Sequence, residues 1–168
     1  MREILFRGKC KETGKWYTGQ YINLHKTTYC FKEDYEADKD NDIHQIVFEK
    51  MTDWGLPNRH LRVDVIPETV GQYTGLTDKN GTKIFEGDIW LDTDEGYLVY
   101  VVEFREGQFG FACYGWQGAL MPYGFDEDAG GWGEIDFEPM TNYNIDTIEV
   151  IGNIHDNPEL LESEVEGE

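Results

Sequence analysis

Four groups of residues combine types and spacings that chemistry could use. Asp126-Glu127-Asp128 stands in a glycine-rich stretch, and His155-Asp156 follows an extended run near the C-terminus. Carboxylate oxygens and an imidazole nitrogen would suit a divalent cation if they converged in space. With 34 acidic residues in the chain such neighbours also arise by chance, so solvated loop acids are the simpler account and no metal is assigned. Glu86 and Asp88 flank Gly87, and residues two apart share a face of extended backbone. That would bring two carboxylates together for acid–base work, as in glycosidases. An Asp at the start of a strand more often accepts backbone N–H groups of the turn before it.

The third group is aromatic. Residues 108–137 hold Phe109, Phe111, Tyr114, Trp116, Tyr123, Phe125, Trp132 and Phe137 among glycines. Rings of this kind stack on bases or sugars, or line a groove for a peptide. The strand rings read as core. Tyr114, Trp116, Tyr123 and Trp132 are the candidate partner-binding residues. Cys113, the fourth feature, sits on an alternating apolar face with no neighbouring His or Lys and reads as an inert buried thiol. The acidic run KEDYEADKDND (32–42) has aspartates at tempting intervals, but lacks the glycine and closing glutamate of a calcium loop and reads as solvated loop. There is no phosphate-binding glycine loop, no HExxH and no GxSxG, so no catalytic residue and no cofactor is assigned.

Charge narrows the partners. The chain has 168 residues, with 14 Lys+Arg against 34 Asp+Glu, a net of −20. Through Arg105 the balance is 14 basic to 19 acidic; beyond it come 15 acids and no Lys or Arg. Such a field repels phosphate and anionic lipid, so direct nucleic-acid or membrane binding is not expected. A basic protein partner, a cation, mimicry of nucleic acid, or solubility alone would each suit it. No run reaches the ~18 apolar residues of a membrane helix, and the N-terminus does not read as a secretory signal. Cys10, Cys30 and Cys113 are odd in number and form no CxxC, which fits a reducing cytoplasm.

The elements that must position these residues are mostly strands. EILFRGKCKETGKWYTGQYI (3–22) reads as a hairpin turning near Gly14. TTYCF (27–31) and IHQIVFE (43–49) read as strands, and MTDWGLPNR (51–59) as one helical turn capped by Thr52 or Asp53. In Asp78-Lys-Asn-Gly81, the Asn80-Gly81 pair suits the positive φ of a type I′ hairpin turn, and Gly87 marks a bend. YLVYVVEF (97–104), FGFACYGW (109–116) and TIEVIGNI (147–154) supply further strands. Asn157 and Pro158 then open a short helix ahead of an acidic tail. The fold expected is mostly β (β-rich α+β): an N-terminal β region with an acidic loop (1–64), an SH3-like barrel (65–158), and a short C-terminal helix with tail (159–168).

The block VIPETVGQYTGLTDKNGTKIFEGDIW (65–90), with FRGK (6–9) before it and EVIGNIHDNPELL (149–161) after it, resembles the YopX family of bacteriophage and prophage proteins. The resemblance covers both ends and the centre and is silent over 22–64 and 115–146. It implies a mostly β, phage-encoded protein, chiefly of Gram-positive hosts, and it implies no activity. Asn80, Gly81, Gly87 and Gly152 read within it as structural turn residues. The function expected is therefore a phage accessory protein acting by protein–protein interaction or self-assembly rather than catalysis. The alternatives are an acidic mimic of nucleic acid that blocks a host DNA-binding protein, and a metal-assisted enzyme acting on a sugar or nucleotide.

Overall fold

The computed structural model describes residues 3–38, 41–92, 98–116, 124–126, 131–133, 137–140 and 147–161. They fall in two compact units, Met1–Gln72 and Tyr73–Glu168. The chain is mostly β, as expected, and its strand pairings are antiparallel.

In the first unit, β1 (Phe6–Lys9) and β2 (Trp16–Leu24) form the expected hairpin, with Gly14 at φ 66° in its turn. β3 (Ile43–Lys50) pairs with β2, and β4 (Arg59–Asp64) pairs with β3. On the other side, β1 meets the start of β5 (Gly71–Thr77) at Arg7↔Gly71 and Phe6↔Gln72. The order β4-β3-β2-β1-β5 leaves β4 at the edge. Ile46, Val65 and Cys10 are buried. Gly19 is required by packing: a Cβ there would lie 2.1 Å from the Val47 carbonyl oxygen.

Two local expectations fail in this unit. Residues 27–31 form no strand, and the acidic run contains a helix, α1 (Lys32–Asp38). Glu33 and Asp34 in its first turn favour the helix dipole. Tyr35 from α1 packs edge-on to His25, ring centroids 4.7 Å apart, which fixes the helix against the segment before it.

The second unit continues β5 into β6 (Lys83–Phe85). β7 (Asp88–Asp92), β8 (Leu98–Arg105) and β9 (Gln108–Trp116) form consecutive pairs. β10 (Gly124–Asp126) and β11 (Gly131–Gly133) make a separate two-stranded ladder. β12 (Glu138–Pro139) pairs with β9, and β13 (Ile148–Asn153) with β7. The resulting sheet, β12-β9-β8-β7-β13, is open: among the described residues its edge strands do not pair with each other. The expected SH3-like barrel is therefore corrected to an open antiparallel sheet.

Both faces of that sheet are apolar, which explains the nearly unbroken apolar run of β8. Trp90, Tyr100, Val102 and Phe111 lie in one buried cluster with Ile84, Met140 and Ile148. The Trp90 ring stacks on Tyr100 at 4.4 Å and meets Phe111 edge-on at 4.5 Å. The alternate residues Ile89, Val99 and Val101 form a second cluster, covered by Ile154, Leu160 and Leu161. The C-terminal segment is thus a lid on the second face. Its expected helix is a single 3₁₀ turn, Pro158–Leu161, within the described residues.

Candidate functional site

The residues singled out in the sequence land as follows. Tyr114 and Trp116 occupy backbone positions at the end of β9, and Trp132 is paired with Phe125 across β10–β11. Tyr123 lies outside the described residues, as do Glu127 and Asp128. Asp88 resolves the carboxylate pair: it is buried, and its Oδ2 accepts the Phe85 N–H at 2.7 Å, fastening the turn between β6 and β7. Gly87, at φ 80°, donates its N–H to Val102 and accepts from Ile154, so it joins β8 to the C-terminal lid. A Cβ on Gly152 would lie 2.6 Å from Asn157 Oδ1. Among the described residues no three His, Cys, Asp or Glu side chains come together in a way that could hold a metal, and no helix is long and apolar enough to cross a membrane.

The β5–β6 turn differs from the type I′ expectation. Gly81 has φ 82°, but Asn80 is not in the positive-φ region. The Gly81 N–H donates to the Asp78 carbonyl, with Lys79 and Asn80 at the centre of the turn. The Asp78 side chain does the organising. Its Oδ1 accepts from the N–H groups of Asn80 (2.9 Å) and Thr82 (2.8 Å), and its Oδ2 from Val150 (3.3 Å). Burial acts to raise its pKa, but the donors from Thr82, Val150 and Asn80 outweigh it and hold the carboxyl below its ordinary value. At this turn Asn80 and Gly81 each give a backbone N–H to Asp78, and Gly81 takes the positive φ.

The surface that stands out is the β3–β4 hairpin. Its loop, expected as a helical turn, is a tight turn instead: Leu56 N–H donates to Asp53 O, and Gly55 sits at φ 79°. Trp54 N–H donates to Asp53 Oδ1 at 2.8 Å, and Thr52 Oγ1 donates to Pro57 O at 3.1 Å. At the neck, Glu49 accepts from Asn58 Nδ2 (3.2 Å) and pairs with His60 Nε2 (3.1 Å). Asn58 and then His60 lower the Glu49 pKa. On this braced loop Trp54 is 97% exposed, Met51 76% and Leu56 62%.

Charge accompanies these apolar residues. Lys50 and Arg59 face each other directly in the ladder. Both are exposed, as is Arg62, and none of the three makes an ion pair among the described residues. Like charges directly opposite one another destabilise a strand pair, so this pairing costs the hairpin a little stability. A groove of about 590 Å³ runs along the same hairpin, lined by Leu5, Gln20, Val47, Phe48, Glu49 and His60 among others. Most of the net charge lies elsewhere: the first unit has 11 Lys+Arg to 12 Asp+Glu, and the second 3 to 22.

β4, RHLRVD, was missed in the sequence because its alternation is brief, only Leu61 and Val63 among four polar residues. Three large apolar residues between polar turn formers in MTDWGLPN were the available signal.

Comparison with known proteins gives one family. The family model described as YopX protein matches residues 5–162. No curated protein matches the chain. Among solved structures, protein EF1440 from Enterococcus faecalis is 22% identical over 96% of this chain and 100% of that one, at a TM-score of 0.45.

Proposed function

The chain belongs to the YopX family, and on that premise we propose that it is a phage or prophage accessory protein that acts in the host cytoplasm by binding another protein, not by catalysis. The observation that carries this reading is the almost complete exposure of Trp54 on a hydrogen-bonded turn. A large ring is seldom left in water, and buried tryptophans dominate interface energies. Trp54 offers about 200 Å² of surface, worth roughly 5 kcal/mol before the costs of association. Lys50 and Arg59, facing each other at the neck of the same loop, favour a partner surface that carries carboxylates around an apolar patch. A second copy of the chain would meet the charge requirement, since its second unit is strongly acidic.

The test is a pair of baits in host lysate, wild type and Trp54→Ser. A protein held by the first and lost by the second supports the reading. Identical captures, or none, overturn it.

The second reading, a mimic of nucleic acid, draws on the 22 acids against 3 bases in the second unit. It requires capture of a basic host protein that is insensitive to Trp54→Ser and falls steeply with salt.

A further inference from the structure

The chain carries a second feature, in the segment that joins β2 to α1. Residues 25–32 and Tyr35 line a wide, open cleft of about 690 Å³, a volume within the range of small-molecule sites. Its lining is unusual for so acidic a protein: it contains no carboxylate. Two lysines, Lys26 and Lys32, and two threonines, Thr27 and Thr28, are among its lining residues. Neither lysine makes an ion pair among the described residues. Asp38, the carboxylate that senses Lys26, is committed elsewhere, accepting hydrogen bonds from Tyr29 Oη and Asn41 Nδ2.

The cleft also has aromatic walls held in place from behind. His25 Nδ1 lies 3.1 Å from both oxygens of the buried Asp42, which fixes the ring. Tyr35 packs edge-on against His25 at 4.7 Å, and Tyr29 against Tyr35 at 5.8 Å. Phe31 is 68% exposed along the same lining.

We propose that this cleft binds a small oxyanion attached to a flat apolar body: the oxyanion between Lys26, Lys32 and the threonine hydroxyls, the body on Tyr29, Phe31 and Tyr35. The chemistry shared by phosphate and carboxylate ligands is a compact anion with several acceptor oxygens, which matches ammonium and hydroxyl donors. The cleft lies on a different part of the first unit from the hairpin and does not depend on the reading given for it.

The experiment is an NMR titration of the full chain at constant ionic strength set with sodium chloride. The probes are inorganic phosphate, phenyl phosphate and benzoate, each applied to the wild type and to Lys26→Gln/Lys32→Gln. Saturable shifts confined to residues 25–35 are expected, with an aryl probe at least tenfold tighter than inorganic phosphate. The double variant loses at least tenfold for the same probe while its remaining spectrum is unchanged. Phenyl phosphate tighter than benzoate would assign the site to phosphates, and the reverse order to carboxylates. Linear shifts with all three probes, or equal affinity in the double variant, would overturn the proposal. Thr27→Val/Thr28→Val serves as a second variant, expected to weaken binding without altering the charge.

Discussion

Lys50 and Arg59 stand directly opposite each other at the neck of the β3–β4 hairpin, two exposed cations in register with no counter-ion among the described residues. One residue further from the tip, Glu49 and His60 make the complementary pair. The contrast gives a direct stability test. Lys50→Glu turns a repelling cross-strand pair into an attracting one and should stabilise the chain by about 0.5 kcal/mol at low salt, fading as salt rises. Urea denaturation checks it. The same variant should weaken capture of an acidic partner, so that stability and binding move in opposite directions.

Trp54 separates the same two properties. Its side chain is 97% exposed, so Trp54→Ser should change stability by less than about 0.5 kcal/mol. For the partner, loss of a central tryptophan should cost about 2 kcal/mol or more, roughly thirtyfold in affinity. Thermal unfolding and titration calorimetry with the captured protein provide the two readouts.

Asp78 predicts how the fold responds to acid. Its folded pKa is depressed, so the unfolded chain binds the proton more readily. The stability it contributes is complete above its unfolded value, near 4, and is lost as pH falls through the lower folded value. Asp78→Asn should remove that part of the acid dependence. It should also destabilise at neutral pH by about 2 kcal/mol, because an amide NH₂ would then face either the Val150 N–H or the turn donors. Chemical denaturation at pH 3 to 7 for both proteins measures this.

Gly19 predicts a packing failure. A Cβ 2.1 Å from the Val47 carbonyl has no flexible atom to displace, and β2 cannot retreat without breaking its ladder with β3. Gly19→Ala should cost about 3 kcal/mol. Gly81→Ala meets nothing in space and should cost only the strain of positive φ, about 1 kcal/mol. Melting temperatures would order the two.

Tyr29 should be visible in an ultraviolet titration. Its hydroxyl donates to Asp38, and with some desolvation this pushes its pKa up to about 12. Asp38→Asn should bring one tyrosine back toward 10, the ordinary value.

Much of the fold was legible because the signals were local. β1–β2 announced itself by alternation and a glycine turn, β8–β9 by an apolar run followed by an alternating one, and Asp88 by turn chemistry. What failed depended on partners distant in sequence. β4 has only Leu61 and Val63 as an apolar alternation, and β3 supplies the ladder that makes it a strand. The acidic run becomes α1 through aromatic contacts to His25 that composition does not reveal. A hairpin series suits a barrel or an open sheet equally, and the choice rests on β13 pairing with β7 while β12 pairs with β9. The site was less legible than the fold. Aromatic density drew attention to 108–137, where the side chains of Tyr114, Trp116, Tyr123 and Trp132 lie outside the described residues, and Trp54 sits in a loop whose exposure depends on the strands that brace it.

Docking through the hairpin tip can be read inside the host by site-specific crosslinking. A photoreactive amino acid in place of Trp54 is compared with one in place of Thr13, in the exposed turn between β1 and β2. Position 54 should give a discrete protein adduct and position 13 none. No adduct at 54, or the same adducts at both positions, would contradict docking through the tip.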